Sequence, residues 1–279
     1  MRPDGIVWAA GPNYAGGGGS TSNPMSVLSG AVAVAAGEMH SLAVRYDGTV
    51  WAWGYNAQGQ LGDGTTSHRW VPVQVQGLNG VVAVAANYNH SLAVRYDGTV
   101  WAWGDNSSGQ LGDGTTSDRW APVQVQGLSG VVAVATSPAH SLAVRSDGTV
   151  WAWGSNHSGQ LGDGTTSGRL VPVQVQGLSG VVAVTAGLSY SLAVLSDGTA
   201  WAWGSNYFGQ LGDGTTSGRM APVQVQGLSG VVAVAAGYHH SLAVLSDGTA
   251  WAWGANNSGQ LGVGGVPTYS TTAIRSLLY

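Results

Sequence analysis

The chain has 279 residues, a net charge of −4, no cysteine and no lysine. Only 8% of its residues are charged, against roughly 25% in an average soluble domain. Without a basic field there is nothing to hold a nucleic-acid backbone, and without cysteine there are no disulfides, thiol nucleophiles or cysteine metal sites.

Residues 1–30 read as a degraded half-repeat. Asp4-Gly5-Ile6-Val7-Trp8-Ala9-Ala10-Gly11-Pro12-Asn13 parallels the later Asp47-Gly48-Thr49-Val50-Trp51-Ala52-Trp53-Gly54-Tyr55-Asn56. Gly16 to Ser22 then reads as a flexible loop of glycine and serine. No apolar run here is long enough for a signal peptide or a membrane span, so a soluble domain, or a piece of a longer protein, is expected. The compartment is left open.

From there the chain repeats. Trp-Ala-Trp-Gly begins at Trp51, Trp101, Trp151, Trp201 and Trp251, a constant step of 50 residues. A fixed period of this size signals a repeat architecture. It divides the chain into units 31–80, 81–130, 131–180, 181–230 and 231–279 within one domain, 1–279.

Val81 to Gly130 serves as the type unit. Val81 to Ala86 is a valine-rich run expected as a strand buried on both sides. His90 to Arg95 is a second strand. Asp97-Gly98 is a hairpin signal, expected to place both residues at positive φ. Thr99 to Trp103 is a third strand, and Gly104 to Arg119 a long loop. Pro122 to Gln126 alternates valine with glutamine as a fourth strand, its proline suited to a strand start or an edge. Four short antiparallel strands without a helical period predict an all-β fold, a β-propeller of four-stranded blades. About six blade positions are expected, five full and one N-terminal half.

Each blade should have a bulky face and a small one. Trp101 and Trp103 share one side of their strand, with Val100, Ala102 and Gly104 on the other. Stacking the bulky face of one blade on the small face of the next repeats one interface around an axis. The tryptophans are expected in these seams rather than stacked on sugars.

The string from Ala86 to Gly114, centred on HSLAVRYDGTVWAWGDNSSGQLGDG, resembles the repeat of the regulator of chromosome condensation family. A small residue precedes the HSLAV strand, followed by the Asp-Gly turn, Trp-Gly-x-Asn and Gly-Gln-Leu-Gly-x-Gly. The likeness runs from about Asp4 to Gly262. It implies a propeller, usually of seven blades. It does not imply one activity, because the family includes a nucleotide exchange factor for a small GTPase, β-lactamase inhibitors and many scaffold domains. No residue here carries the exchange activity over. Five blades and a half depart from the family number. The ring either closes with a thin sixth sheet or is part of a larger one, and near-identical copies invite swapping into a homodimer.

The four full copies differ at few positions, mostly in the first-to-second and third-to-fourth loops, which a meander places at one end of the disc. There lie Tyr55, His68, Trp70, Tyr88, Asp105, Asp118, Trp120, His157, Tyr207, Phe208, Met220, Tyr238 and His239. Two readings compete: a binding face, and drift after duplication. Drift alone favours small polar replacements, whereas these include the residue types that anchor interfaces.

Other chemistry finds little support. Asp63, Asp113, Asp163 and Asp213 supply one carboxylate per loop, too few for calcium, and suit loop capping by Asp and Thr. His40, His90, His140 and His240 recur once per blade as a ring, with Tyr190 breaking the set, which suggests packing or hydrogen bonding rather than a metal cluster. Glu38 is the sole glutamate. No catalytic constellation, metal site or cofactor motif is apparent. The expected function is non-catalytic protein binding through the variable loops, with nucleotide exchange on a small GTPase or a lectin-like activity as alternatives, and no nucleic-acid or membrane partner.

Overall fold

The structure is a computed structural model that describes residues 5–11, 21–264 and 268–277, with no account of the side chains of 9–11 and 21–26. All its regular elements are strands. Five four-stranded antiparallel sheets follow a two-stranded half-sheet, Val7–Gly11 paired with Thr21–Leu28. The full sheets, blades 1 to 5, begin at Ala31, Val81, Val131, Val181 and Val231. In blade 2 the strands are Val81–Ala86, His90–Arg95, Val100–Gly104 and Arg119–Gln124, in spatial order one to four.

The first strand of each of blades 2 to 5 touches the first and second strands of the blade before it. First strands therefore cluster around an axis and fourth strands lie outermost, which is the propeller arrangement. This corrects the expectation of a first strand buried on both sides. Val32, Val82, Val132, Val182 and Val232 are 53–58% exposed. Their runs look like interior strands because valine suits a strand whether its face is covered or open.

Between blades the seam repeats. Leu42, Val44, Val50, Ala52, Leu61 and Val75 of blade 1 enclose Val81, Ala93 and Trp103 of blade 2, and the same columns meet in the next three seams. Trp103, Trp153, Trp203 and Trp253 are 0% exposed. Each indole N–H needs an acceptor once buried. Trp103 Nε1 donates to the Gln60 carbonyl of the preceding blade at 2.8 Å, and Trp153, Trp203 and Trp253 do the same to Gln110, Gln160 and Gln210. Gly62 is required for this seat: its φ is +68°, and a Cβ there would lie 2.9 Å from the Trp103 ring.

Two other expectations change. The hairpin turn runs from Arg95 to Gly98, closed by Gly98 N donating to Arg95 O at 2.9 Å, with Gly98 at φ +76°. Tyr96 and Asp97 are thus the central residues and the glycine follows them, as in the longer hairpin loops built on a type I turn. Asp97 accepts from both the backbone and the hydroxyl of Thr99. The fourth strand begins at Arg119 rather than Pro122. Its register shifts between Arg119 and Val123, where Pro122 sits on an outer edge that tolerates a missing donor.

In the half-sheet, Thr21–Leu28 is a strand the sequence did not announce. It takes over Thr21 and Ser22 of the expected loop, while residues 16–20 lie outside the described residues. The half-sheet covers blade 1 through Val7, Val27 and Leu28 against Ala31, Ala43 and Trp53.

Candidate interaction face

The third-to-fourth loops of blades 1 to 4 are held by polar chemistry that the repeat supplies in each of those four copies. In blade 2 the Asp113 carboxylate accepts from the Thr115 amide at 3.0 Å, the Thr115 hydroxyl at 2.7 Å, Asn106 Nδ2 at 3.1 Å and Arg119 Nε at 2.7 Å. Burial pushes this carboxyl up, but the Thr115 hydroxyl and the Arg119 guanidinium outweigh it and hold its pKa below the usual range. Asp63, Asp163 and Asp213 are held by the same groups. Loop capping by aspartate and threonine is therefore what the structure contains. The arginine six residues on completes it, a partner the sequence reading missed.

The once-per-blade histidines form a second device. His40 Nε2 lies 2.9 Å from Ser91 Oγ of the next blade, and Ser91 Oγ donates to the Gln60 carbonyl at 2.9 Å. The serine proton is thus committed, so the imidazole must donate from Nε2. His90 with Ser141 and His140 with Ser191 repeat the clasp at 3.0 and 2.9 Å. Burial drives His40 and His140 down to about 3 and His90 to about 4, so all three are neutral at neutral pH. Tyr190 substitutes a longer arm: its hydroxyl donates to the His240 carbonyl of blade 5 and accepts from Ser241 at 3.2 Å. The hydrogen-bonding role expected for this column is the one it has.

Above these clasps the two loop types meet at one end of the blades. Gln60 Nε2 in a third-to-fourth loop donates to Asn89 Oδ1 in the next blade's first-to-second loop at 3.1 Å, and the Tyr55 amide donates to the Met39 carbonyl at 2.9 Å. The first-to-second loops surround an axial depression of about 340 Å³ to which every full blade contributes, through Glu38, Asn87, Pro138, Leu188 and Tyr238 among others. Tyr238 donates its hydroxyl to Glu38 Oε2 at 3.2 Å, joining blade 5 to blade 1.

The structure sorts the thirteen candidates. Tyr88 and Tyr238 belong to the axial group, and Tyr88 is close enough to add to the upward push that burial and Glu38 exert on the Tyr238 hydroxyl. Phe208 of blade 4 lies 5.1 Å, ring to ring, from His239 of blade 5. Tyr207 and His157 project into solvent. Tyr55 stacks on His68 at 4.6 Å. Three candidates are used inside their own loop: His68 Nδ1 accepts from the Asn56 amide at 3.0 Å, Asp118 Oδ1 from the Asn106 amide at 2.9 Å, and Asp105 from Gln110 Nε2 at 3.0 Å. Trp70, Trp120 and Met220 stand on outer strands, away from the axis. The carbonyls of Trp120 and Met220 accept from Gly64 and Gly164 of the preceding blade. Glu38, absent from the expected set, is central to it; its being the sole glutamate was the available signal.

No group of three or more His, Asp or Glu side chains among the described residues could hold a metal ion. An axial wheel of seams, capped loops and one variable end defines a repeat propeller. The model of the RCC1-like domain matches residues 1–277, and the chain belongs to that family. Among solved structures it is similar to human WBSCR16, with a TM-score of 0.85 and 25% identity over 97% of this chain and 76% of that one. It is also similar to yeast RCC1 (Prp20) in complex with Kap60, with a TM-score of 0.78 and 25% identity over 92% of this chain and 67% of that one. A stretch of 59 residues, 21% of this chain, is 42% identical to a mouse secretion-regulating guanine nucleotide exchange factor, of which it spans 12%. A stretch of 47 residues, 17% of the chain, is 53% identical to the human E3 ubiquitin-protein ligase HERC2, of which it spans 1%.

Proposed function

We propose that the chain is a non-catalytic scaffold that binds a protein through the first-to-second and third-to-fourth loops at one end of the propeller. The observation that supports this is the axial depression with its rim. Five loops of differing sequence there present Glu38, Asn87, Pro138, Leu188 and Tyr238. Identical seams with dissimilar tips are what a rigid scaffold with an adapted surface requires. Tyr88, Tyr207 and Tyr238 are exposed there and suit interface anchoring. Glu38 is the charged residue lining this depression among the described residues, which favours a partner segment carrying arginine or lysine. Family relatives support protein binding in general: yeast RCC1 (Prp20) is bound to Kap60 in one solved structure, and Prp20p also binds Gsp1p and histones.

The test is proximity capture followed by purified binding. Tyr88→Ala, Tyr207→Ala and Tyr238→Ala together should weaken the captured partner at least tenfold. Tyr46→Ala with Tyr96→Ala, exposed at the hairpin turns of the opposite end, should leave it unchanged. Equal loss from both sets would remove this reading.

A second reading, nucleotide exchange on a small GTPase, is supported by the matched segment of the mouse exchange factor. It is checked by release of a fluorescent guanine nucleotide from a GTPase panel, where no acceleration would dispose of it. A lectin built on the paired tryptophans has less support, because one member of each pair in blades 2 to 5 is fully buried.

A further inference from the structure

The aromatic residues of the loop end are not shared evenly among the blades. Phe208, the sole phenylalanine of the chain, stands in a column that elsewhere holds Gln58, Ser108, Ser158 and Ser258. It meets His239 across the seam between blades 4 and 5, where Tyr207 is 80% exposed and Tyr238 53%. The same four columns at the seam between blades 2 and 3 hold Ser107, Ser108, Pro138 and Ala139. Both seams bury their tryptophan completely, Trp153 in one and Trp253 in the other. Packing inside the propeller therefore does not require the rings, and they present apolar surface to solvent instead.

Next to this patch lies the sole glutamate. Tyr238 donates to Glu38 Oε2 at 3.2 Å, and the residue after Tyr238 is the histidine that packs on Phe208. Glu38 is exposed and forms no ion pair among the described residues. The chain has no lysine. Its four loop arginines and the three at hairpin turns each pair with an aspartate of their own blade. A cation that meets Glu38 therefore comes from another molecule. A guanidinium suits the place better than an ammonium, because its planar fork binds a carboxylate while its face stacks on a tyrosine ring.

We propose that Glu38 and the Phe208–His239 pair form one two-point site for a partner peptide that carries an arginine and, within a few residues, a bulky apolar side chain. This site presupposes that the loop end is the binding face. The guanidinium lies between the Glu38 carboxylate and the Tyr238 ring, and the apolar side chain covers Phe208 beside Tyr207. Tyr238 touches Glu38 and its neighbour touches Phe208, so an extended segment of about six residues, at about 3.3 Å each, reaches from one to the other.

The test is selection of random seven-residue peptides, displayed on phage, against the full chain. The expected enrichment is of arginine together with Leu, Ile, Met, Phe or Trp in one peptide. Two variants separate the points. Glu38→Gln should abolish the arginine preference and keep the apolar one. Phe208→Ser with His239→Ala should do the reverse; it reproduces Ser108 and Ala139, which the repeat already accommodates at another seam. Circular dichroism checks that both fold. The best selected peptide should bind each variant at least tenfold more weakly. Replacing its arginine by citrulline, of the same shape without the charge, should cost tenfold on the parent chain and nothing further on Glu38→Gln. Tyr96→Ser, at the opposite end, should bind it unchanged. No enrichment, enrichment without arginine, lysine selected as often as arginine, or equal binding to Glu38→Gln would overturn the proposal. If a captured partner is still lost on substituting Tyr88, Tyr207 and Tyr238 while no arginine peptide is selected, the binding face stands and the arginine site falls.

Discussion

At the scale of the residue, the chain keeps His40, His90 and His140 uncharged by burying them between blades. The consequence for pH has a definite sign. An unfolded histidine takes up a proton near pH 6.5, whereas His40, His90 and His140 do so only at about 3 to 4 when folded. The unfolded chain therefore binds more protons through that window, and stability is lost as the pH falls from about 6.5. Each of the three should contribute a loss of about 2 kcal/mol by pH 5. Urea midpoints at pH 7 and pH 5 check this, and His140→Gln should flatten part of the slope. The loop aspartates add their loss at lower pH, because their folded carboxyls sit below the ordinary value. Asp163→Ala takes the acceptor from Arg169, Asn156 and Thr165 at once. It should cost about 1–3 kcal/mol, the penalty for stranding buried donors, read as a shift in the urea midpoint.

At the scale of the element, a blade is held by its seam as much as by its own ladder. Trp153 is enclosed by blade 2 and anchored on Gln110, so Trp153→Ala should destabilise the chain by about 3–5 kcal/mol. Trp53→Ala should cost clearly less, since Trp53 is half-buried against the half-sheet. Paired thermal melts decide it; equal losses would mean that burial does not set the energy. The third strands, their tryptophans and the Asp-Gly turn could all be read from the sequence, because a period-two pattern and a glycine at positive φ are local constraints. The fourth strand could not be started correctly. Its first residues, from Arg119, are ordered by a ladder bond to Gly104 and by the ion pair with Asp113, neither of which leaves a local pattern.

At the scale of the whole molecule, the array behaves as a line of nearest-neighbour contacts. Blades 2 to 4 have a complete seam on both sides, blade 5 on one, and the half-sheet is two strands deep. Amide exchange should follow that order, slowest in the second strands of blades 3 and 4 and fastest in the half-sheet and the outer strands of blade 5. Mass spectrometry of exchanged peptides measures it, and uniform protection would show that the ends are not the weak points. Sequence alone determined the repeat, the all-β blade, the tryptophan seam and the end of the disc where the copies diverge, because each is a matter of period or of residue type at a fixed spacing. Only the tertiary structure decided that the innermost valines face an open axis, that Glu38 meets Tyr238 across 200 residues, and that His68, Asp105 and Asp118 serve their own loops. Those facts depend on which surfaces the neighbouring blades bring together, and a covered and an uncovered copy of Ser-Leu-Ala-Val are spelled alike.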